Sequence, residues 1–227
     1  KILKEGIITK SRNSDVLSTF GERMIFDLSE SFPLLTTKRV GYKTVLRELL
    51  WFINGSTSNQ LLTDKNVHIW SQNSSKEYLE SRGLDYEEGD LGPVYGFQWR
   101  HFGAEYKGCS YDYGAGTDKS VGYDQLTNVI HLIKNEPGSR RIIIDLWDCT
   151  SIHKAALPSC LCKYQFNVNT EKKELNLAIY LRSSDFFLAN NWNSTCGALF
   201  VHLLCNLEGI DLTPGDLTVF IADAHLY

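Results

Sequence analysis

No stretch of this sequence approaches the roughly 20 consecutive apolar residues that a membrane-spanning helix requires. The opening residues, KILKEGIITKSRN, carry charge throughout and hold neither an apolar secretory core nor a small-residue cleavage site. A glycine fingerprint for a dinucleotide and a phosphate loop are both missing, which removes the usual NAD and ATP signatures. No internal repeat and no Pro/Gly/Ser-rich linker divides the chain. A broad basic surface is lacking too. Lys and Arg number 23 against 27 Asp and Glu, a formal net charge of -4, which argues against non-specific nucleic-acid binding, and no obligatory nucleic-acid partner is expected. A few clustered arginines can still form a local positive pocket for a small anion.

Six cysteines, at 109, 149, 160, 162, 196 and 205, are few for 227 residues and read as thiols of a reducing compartment rather than a secreted disulfide framework. With no anchor or address in view, the expected location is cytoplasmic. Cys160 and Cys162 are separated by one residue, not the two of a zinc knuckle, and no His-x-His partner lies nearby, so no metal is expected. The chain starts with Lys and stops at Tyr227 without a polar tail, which reads as one domain over 1–227, trimmed at both ends.

Hydrophobic residues at 43% are enough for a substantial core. Residues 41–54 predict a helix, with Val45, Leu46, Leu49, Leu50 and Ile53 at three- and four-residue steps and Gly55 as a stop. Its apolar content all round predicts deep burial. Glu48 lies inside that run, and a buried carboxylate needs a partner or a function. Residues 73–122 read as loop and insertion around the compact motif LGPVYGFQWR. A second amphipathic helix is predicted over 124–134, strands over 141–147, 163–168, 175–181 and 218–222, and an apolar helix over 195–207. Without strict alternation of strand and helix, the pattern predicts an α+β fold with a mixed, largely antiparallel sheet flanked by helices.

Taken singly, the chemistry-bearing residues have ordinary explanations. Cys160, in LPSC, resembles a buried structural thiol. Arg140 and Arg141 resemble solvated surface residues, and on a strand they point to opposite faces. Arg182 resembles half of a surface ion pair with Asp185. Asn193, in NNWN, resembles a turn or helix cap. Their joint order changes this. FPLLTTKR (32–39), ELLWFINGST (48–57), VHIW (67–70), DLGPVYGFQWRHFGAEY (90–106), SRRIII (139–144), ALPSC (156–160), QF (165–166), RSSD (182–185) and DAHLY (223–227) resemble the thymidylate synthase family, in that family's order and over nearly the whole chain.

The resemblance implies conversion of dUMP to dTMP, with methylene-tetrahydrofolate as one-carbon donor and reductant. Cys160 matches the thiol that adds to pyrimidine C6, turning the ring into an enolate able to attack an iminium carbon. Arg182 matches a nearby cation that favours the thiolate and also holds phosphate. Arg12 and Arg182 match phosphate ligands of the same subunit; Arg140 and Arg141 match a pair contributed by the other subunit of a homodimer, whose interface involves sheet packing. Ser183 resembles a phosphate contact, and His225 with Tyr227 the pair that holds the sugar hydroxyl. Glu48 matches the carboxylate that manages proton transfers, and Tyr95 a tyrosine of the same network. Asn193 matches the amide that reads the pyrimidine edge, donating to O4 and accepting from N3–H as uracil requires. Asp185 matches the hydrogen-bond partner of the folate pterin, while Ile69, Trp70, Leu188 and Trp192 resemble residues around the folate.

The sequence departs from the family pattern at several places. Ser159 and Leu161 stand where the family has Pro and His around the cysteine, and Leu181 replaces a glutamine before the arginine. FFLANNWN carries Ala189 in place of a glycine and Trp192 in place of a phenylalanine, and RNSDVL is shorter than the usual N-terminal loop. Two other functions are alternatives, the second of them motivated by these departures. One is a folate-dependent pyrimidine hydroxymethylase, in which water rather than hydride quenches the exocyclic methylene. The other is a weakly active homologue acting as a nucleotide- or RNA-binding dimer.

Overall fold

The computed structural model describes residues 1–11, 14–36, 38–114 and 120–227. Arg12 lies outside the described residues. In chain order the elements are α1 (Ile2–Glu5), β1 (Ile7–Lys10), β2 (Asp15–Asp27), α2 (Tyr42–Ile53), α3 (Gln60–Thr63), α4 (Lys76–Ser81) and α5 (Tyr95–His101). They continue with α6 (Gln125–Asn135), β3 (Ile143–Asp145), a 3-10 turn (Ile152–Lys154), β4 (Leu161–Asn169), β5 (Glu174–Asp185), α7 (Asn190–Cys205) and β6 (Thr213–Leu226). The strands form one mixed sheet in the order β1-β2-β6-β5-β4-β3. β1–β2, β2–β6 and β4–β5 pair antiparallel, and β5–β6 pair parallel. The chain therefore adopts the α+β architecture with a mixed sheet that its pattern implies.

Two compact units divide the chain. The first comprises Lys1–Tyr42, His131–Ile143 and Cys160–Tyr227; the second comprises Lys43–Ile130 and Ile144–Ser159.

In the first unit, one face of the central strands is apolar. Leu175, Leu177, Ile179 and Leu181 of β5 and Leu217, Val219 and Ile221 of β6 alternate toward it and are almost wholly buried. Each such side chain contributes about 1.5–3 kcal/mol by leaving water. α7 packs on this face. A Cβ built on Gly197 would meet the Leu217 side chain at 3.2 Å and that of Leu177 at 3.6 Å, so the missing side chain sets how closely helix and sheet approach. One turn on, Phe200 makes edge contacts with Tyr164 and Phe166 of β4. Thr195 Oγ1 donates to the Pro33 carbonyl at 3.2 Å, tying the FPLLTTKR segment to the same helix.

In the second unit, α2 buries Val45, Glu48, Leu49 and Phe52 at steps of three and four, along with Trp51. The expectation of burial all round is corrected here: Leu50 is 40% exposed, so the helix has a solvent side. The described part of 73–122 likewise holds helices that were not expected, α4 and α5, the latter inside the LGPVYGFQWR motif. Helices of six and seven residues are too short to show a 3.6-residue period in sequence. The motif's glycines are conformational requirements. Gly92 has φ +70°, and a Cβ on Gly96 would collide with the Ser56 carbonyl oxygen. Asp90 anchors the loop. Its Oδ1 accepts from Gly92 N at 2.8 Å and from Tyr106 Oη at 2.5 Å, and its Oδ2 accepts from Cys109 N at 3.0 Å. Burial and the Asp90 charge hold the Tyr106 phenol far above its ordinary pKa, so it acts as a permanent donor.

Candidate active site

The two parallel strands β5 and β6 carry a change of polarity along one face. Beyond Leu181 the same alternation brings up Ser183 and Asp185; beyond Ile221 it brings up Asp223 and His225, and then Tyr227. The register sets Ser183 beside Asp223 and Asp185 beside His225. The strands that build the core thus run on into a polar patch, without any change of element.

Local hydrogen bonds fix that patch. His225 Nδ1 lies 2.8 Å from Asp223 Oδ1, and its ring meets Tyr227 edge-on at 5.4 Å. Phe186 N donates to the His225 carbonyl at 2.8 Å. Asp185 Oδ1 accepts from Phe187 N at 3.0 Å and Leu188 N at 2.9 Å, which pins the carboxylate at the start of the loop leading to α7. Leu188 is 56% exposed. Trp192 and Asn193 are half-buried in the first turns of α7. Asn193 Nδ2 donates to the Ala189 carbonyl at 3.1 Å, so its amide is engaged with its own helix. α7 starts at Asn190, five residues before the sequence-based expectation of 195, because the polar NNWN run has no apolar period to reveal it.

Cys160 immediately precedes β4. Because β4 and β5 are antiparallel, the start of one lies against the far end of the other, and Arg182 N donates to the Cys160 carbonyl at 2.9 Å. The Arg182 side chain turns to the same residue: its Nη2 stands 3.7 Å from Cys160 Sγ. A register shift between Leu161 and Lys163 makes Cys162 the extra residue of a bulge, with its Sγ 3.8 Å from the Cys160 carbonyl. No disulfide joins the six cysteines.

Arg140 and Arg141 are both exposed. Arg140 lines a cavity of about 380 Å³ with Gln165, Asn167, Asn176, Asp216 and Thr218. Ala178 and Thr218 of that lining alternate to the sheet face opposite the α7 side.

The second unit gathers a different group. Glu48 is 5% exposed, and Trp70 Nε1 donates to its Oε1 at 2.7 Å. The Trp70 ring contacts Trp51 at 6.3 Å and Tyr95 at 6.1 Å, while Phe52 lies 5.1 Å from Tyr95. One partner of the buried carboxylate is thus an indole donor 22 residues on. Ile69, next to Trp70, is 42% exposed. Among the described residues no group of three His, Cys, Asp or Glu is placed to hold a metal ion, and no helix is long and apolar enough to cross a membrane.

The Cys160 thiol thus has the Arg182 guanidinium beside it, next to strands ending in Ser, Asp and His, and a sequence model of the thymidylate synthase family matches residues 1–227. The chain belongs to the thymidylate synthase family. It is 46% identical over 230 residues to a bifunctional dihydrofolate reductase-thymidylate synthase of Leishmania amazonensis, covering 100% of this chain and 43% of that protein. The bifunctional dihydrofolate reductase-thymidylate synthase of Zea mays is 47% identical over 228 residues, again across 100% of this chain and 42% of its own length. One from Paramecium tetraurelia is 44% identical over 229 residues, covering 100% and 48%. The chain thus spans less than half the length of these relatives.

The departures from the thymidylate synthase pattern fall at defined places. Ser159 and Leu161, flanking the cysteine, are both 3% exposed. Leu181 belongs to the wholly buried row under α7, where an apolar side chain fits the packing. Ala189 is the N-cap of α7 and makes no side-chain cap; its carbonyl is the group that takes the Asn193 amide. Asp223 is the residue that sequence reasoning passed over. Its signal was the two-residue spacing to His225, which on a strand puts both side chains on one face.

Proposed function

We propose that residues 1–227 are the synthase catalytic domain of a longer polypeptide that converts dUMP to dTMP with methylene-tetrahydrofolate. The observation that carries this reading is the Arg182 guanidinium 3.7 Å from Cys160 Sγ. It supports the reading because a guanidinium beside a thiol suits both a thiolate nucleophile and a phosphate. Cys160 adds to pyrimidine C6, and Arg182 and Ser183 hold phosphate. His225 and Tyr227 hold the sugar hydroxyl, and Asn193 turns from the Ala189 carbonyl to read the uracil edge. Methylene-tetrahydrofolate supplies the one-carbon unit and the hydride. The family resemblance assigns folate contacts to Asp185, Leu188 and Trp192 and, separately, to Ile69 and Trp70; the pinned Asp185 carboxylate suits the N–H donors of a pterin. The roles of Glu48 and Tyr95 in moving protons follow from the family resemblance.

We further propose a homodimer in which the sheet face opposite α7 meets a second copy. Ile25, Tyr180 and Phe220 on that face are 53%, 46% and 41% exposed, an apolar row that water does not favour. Arg140 lines the cavity on the same face, which suits a side chain serving the partner's phosphate. A reducing cytoplasmic location accords with six cysteines and no disulfide.

Incubating the full-length protein with dUMP and methylene-tetrahydrofolate and measuring dTMP tests the reading. Product should form and should fall by about a thousandfold or more in Cys160→Ser. Full activity in that variant would end the mechanism. Hydroxymethylated product in place of dTMP would transfer the chain to the hydroxymethylase reading, which Asn193 disfavours for cytosine nucleotides.

A further inference from the structure

Asp223 has no part in the chemistry above, yet it makes one of the shortest contacts in the patch. Its Oδ1 stands 2.8 Å from His225 Nδ1, with the His225 side chain 12% exposed and that of Asp223 44% exposed. An ionised carboxylate has only acceptors, so Nδ1 must carry the hydrogen. In the neutral ring that leaves Nε2 with a lone pair and no proton. The ring is further held by Tyr227 edge-on at 5.4 Å, and its backbone carbonyl by Phe186 N. Orientation and tautomer are both fixed before any ligand arrives.

We infer that Asp223 is a positioning residue for sugar recognition, making His225 Nε2 an acceptor for a nucleotide 3′-hydroxyl and so selecting nucleotides in which that hydroxyl is unsubstituted. This rests on the reading of His225 and Tyr227 as the sugar-binding pair. A 2′-deoxynucleoside 5′-monophosphate has one sugar hydroxyl. Its O–H donates to Nε2, and its oxygen accepts from Tyr227 Oη. A nucleotide with an alkyl or phosphoryl group on that oxygen has no hydrogen to give, and the lone pair of Nε2 would face it without a donor. The site therefore takes a free mononucleotide and rejects the interior of a nucleic-acid strand.

The test is nucleotide affinity by calorimetry on the full-length protein, using dUMP, its 2′,3′-dideoxy analogue and its 3′-O-methyl analogue. Asp223→Ala should weaken dUMP about tenfold, the scale of losing a residue that orients a histidine ligand. It should leave the dideoxy and 3′-O-methyl affinities where they are. In steady-state assays the loss should appear in KM with kcat nearly unchanged. Asp223→Asn, which keeps an oxygen acceptor for Nδ1–H, should recover part of the affinity. In a His225→Gln background, adding Asp223→Ala should cost nothing more. An equal loss for all three nucleotides, or a loss that adds to that of His225→Gln, would show a structural role and overturn the inference while leaving the synthase reading intact. Failure of the unaltered protein to bind dUMP at all would remove the synthase reading, and this inference with it.

Discussion

Trp70 donates its indole N–H to Glu48 Oε1 at 2.7 Å, in a position where the carboxylate is 5% exposed. Burying a carboxylate is costly without hydrogen bonds to it, and this donor is itself held by ring contacts to Trp51 and Tyr95. The same aromatic group thus stabilises the second unit and fixes the proposed proton-transfer residue.

Trp70→Phe keeps most of the ring packing and removes only the donor. Urea unfolding should show a loss of about 2 kcal/mol, the scale of a hydrogen bond to a charged group. Turnover should fall as well. Glu48→Gln should restore stability in the Trp70→Phe background, since a neutral amide is cheaper to bury, but not turnover. Unchanged stability and rate in Trp70→Phe would show that the indole does not hold the carboxylate.

Asn193 is proposed to read uracil by donating to O4 and accepting from N3–H. Asn193→Asp reverses the first requirement and should lower kcat/KM for dUMP by about a hundredfold or more while raising that for dCMP. The Ala189 carbonyl loses its donor in this variant. Competition kinetics with both nucleotides decide the matter, and an unchanged uracil preference would remove Asn193 from its role.

Asn190 is wholly buried at the start of α7; its Nδ2 has Met24 Sδ at 3.8 Å, and its Oδ1 has no partner among the described residues. Asn190→Leu has nearly the same shape and removes that unsatisfied oxygen. The urea midpoint should rise, by about 1 kcal/mol in stability. A lower midpoint would mean that the amide is satisfied in solution.

Much of the fold was legible because apolar periods are strong where elements are long. α2, α6 and the centres of β4, β5 and β6 were read within a few residues. Their ends were not, because β5 and β6 extend into Ser183, Asp185, Asp223 and His225, where polar residues break the apolar alternation. β1 escaped notice because its residues are all exposed, and β2 because apolar and polar residues do not alternate along DVLSTFGERMIFD. The site was legible as motifs, not as geometry: Cys160 and Arg182 are 22 residues apart, and only the antiparallel register joins them.

His101 is half-buried against the rings of Phe97 and Tyr113, with Nδ1 2.9 Å from the Val121 carbonyl. Burial, the largest influence, pulls its pKa below 6.5. The unfolded chain then binds the proton more readily, so this contribution is present above pH 6.5 and is lost as pH falls through the lower folded value. Urea midpoints should drop between pH 7.5 and 5.5, and the drop should shrink in His101→Phe. At the alkaline side, burial pushes the Cys205 thiol up to about 11, so its contribution is lost as pH rises from 9 toward that value. Identical acid sensitivity in His101→Phe would locate the effect elsewhere.

The nucleophilic role of Cys160 is tested most directly by intact-mass analysis of the full-length protein after incubation with 5-fluoro-dUMP and methylene-tetrahydrofolate. A sulfur that adds to pyrimidine C6 should be trapped, giving a mass increase of both ligands that maps to the Cys160 peptide. An unmodified mass, or an adduct carried by any of the other five cysteines, would contradict it.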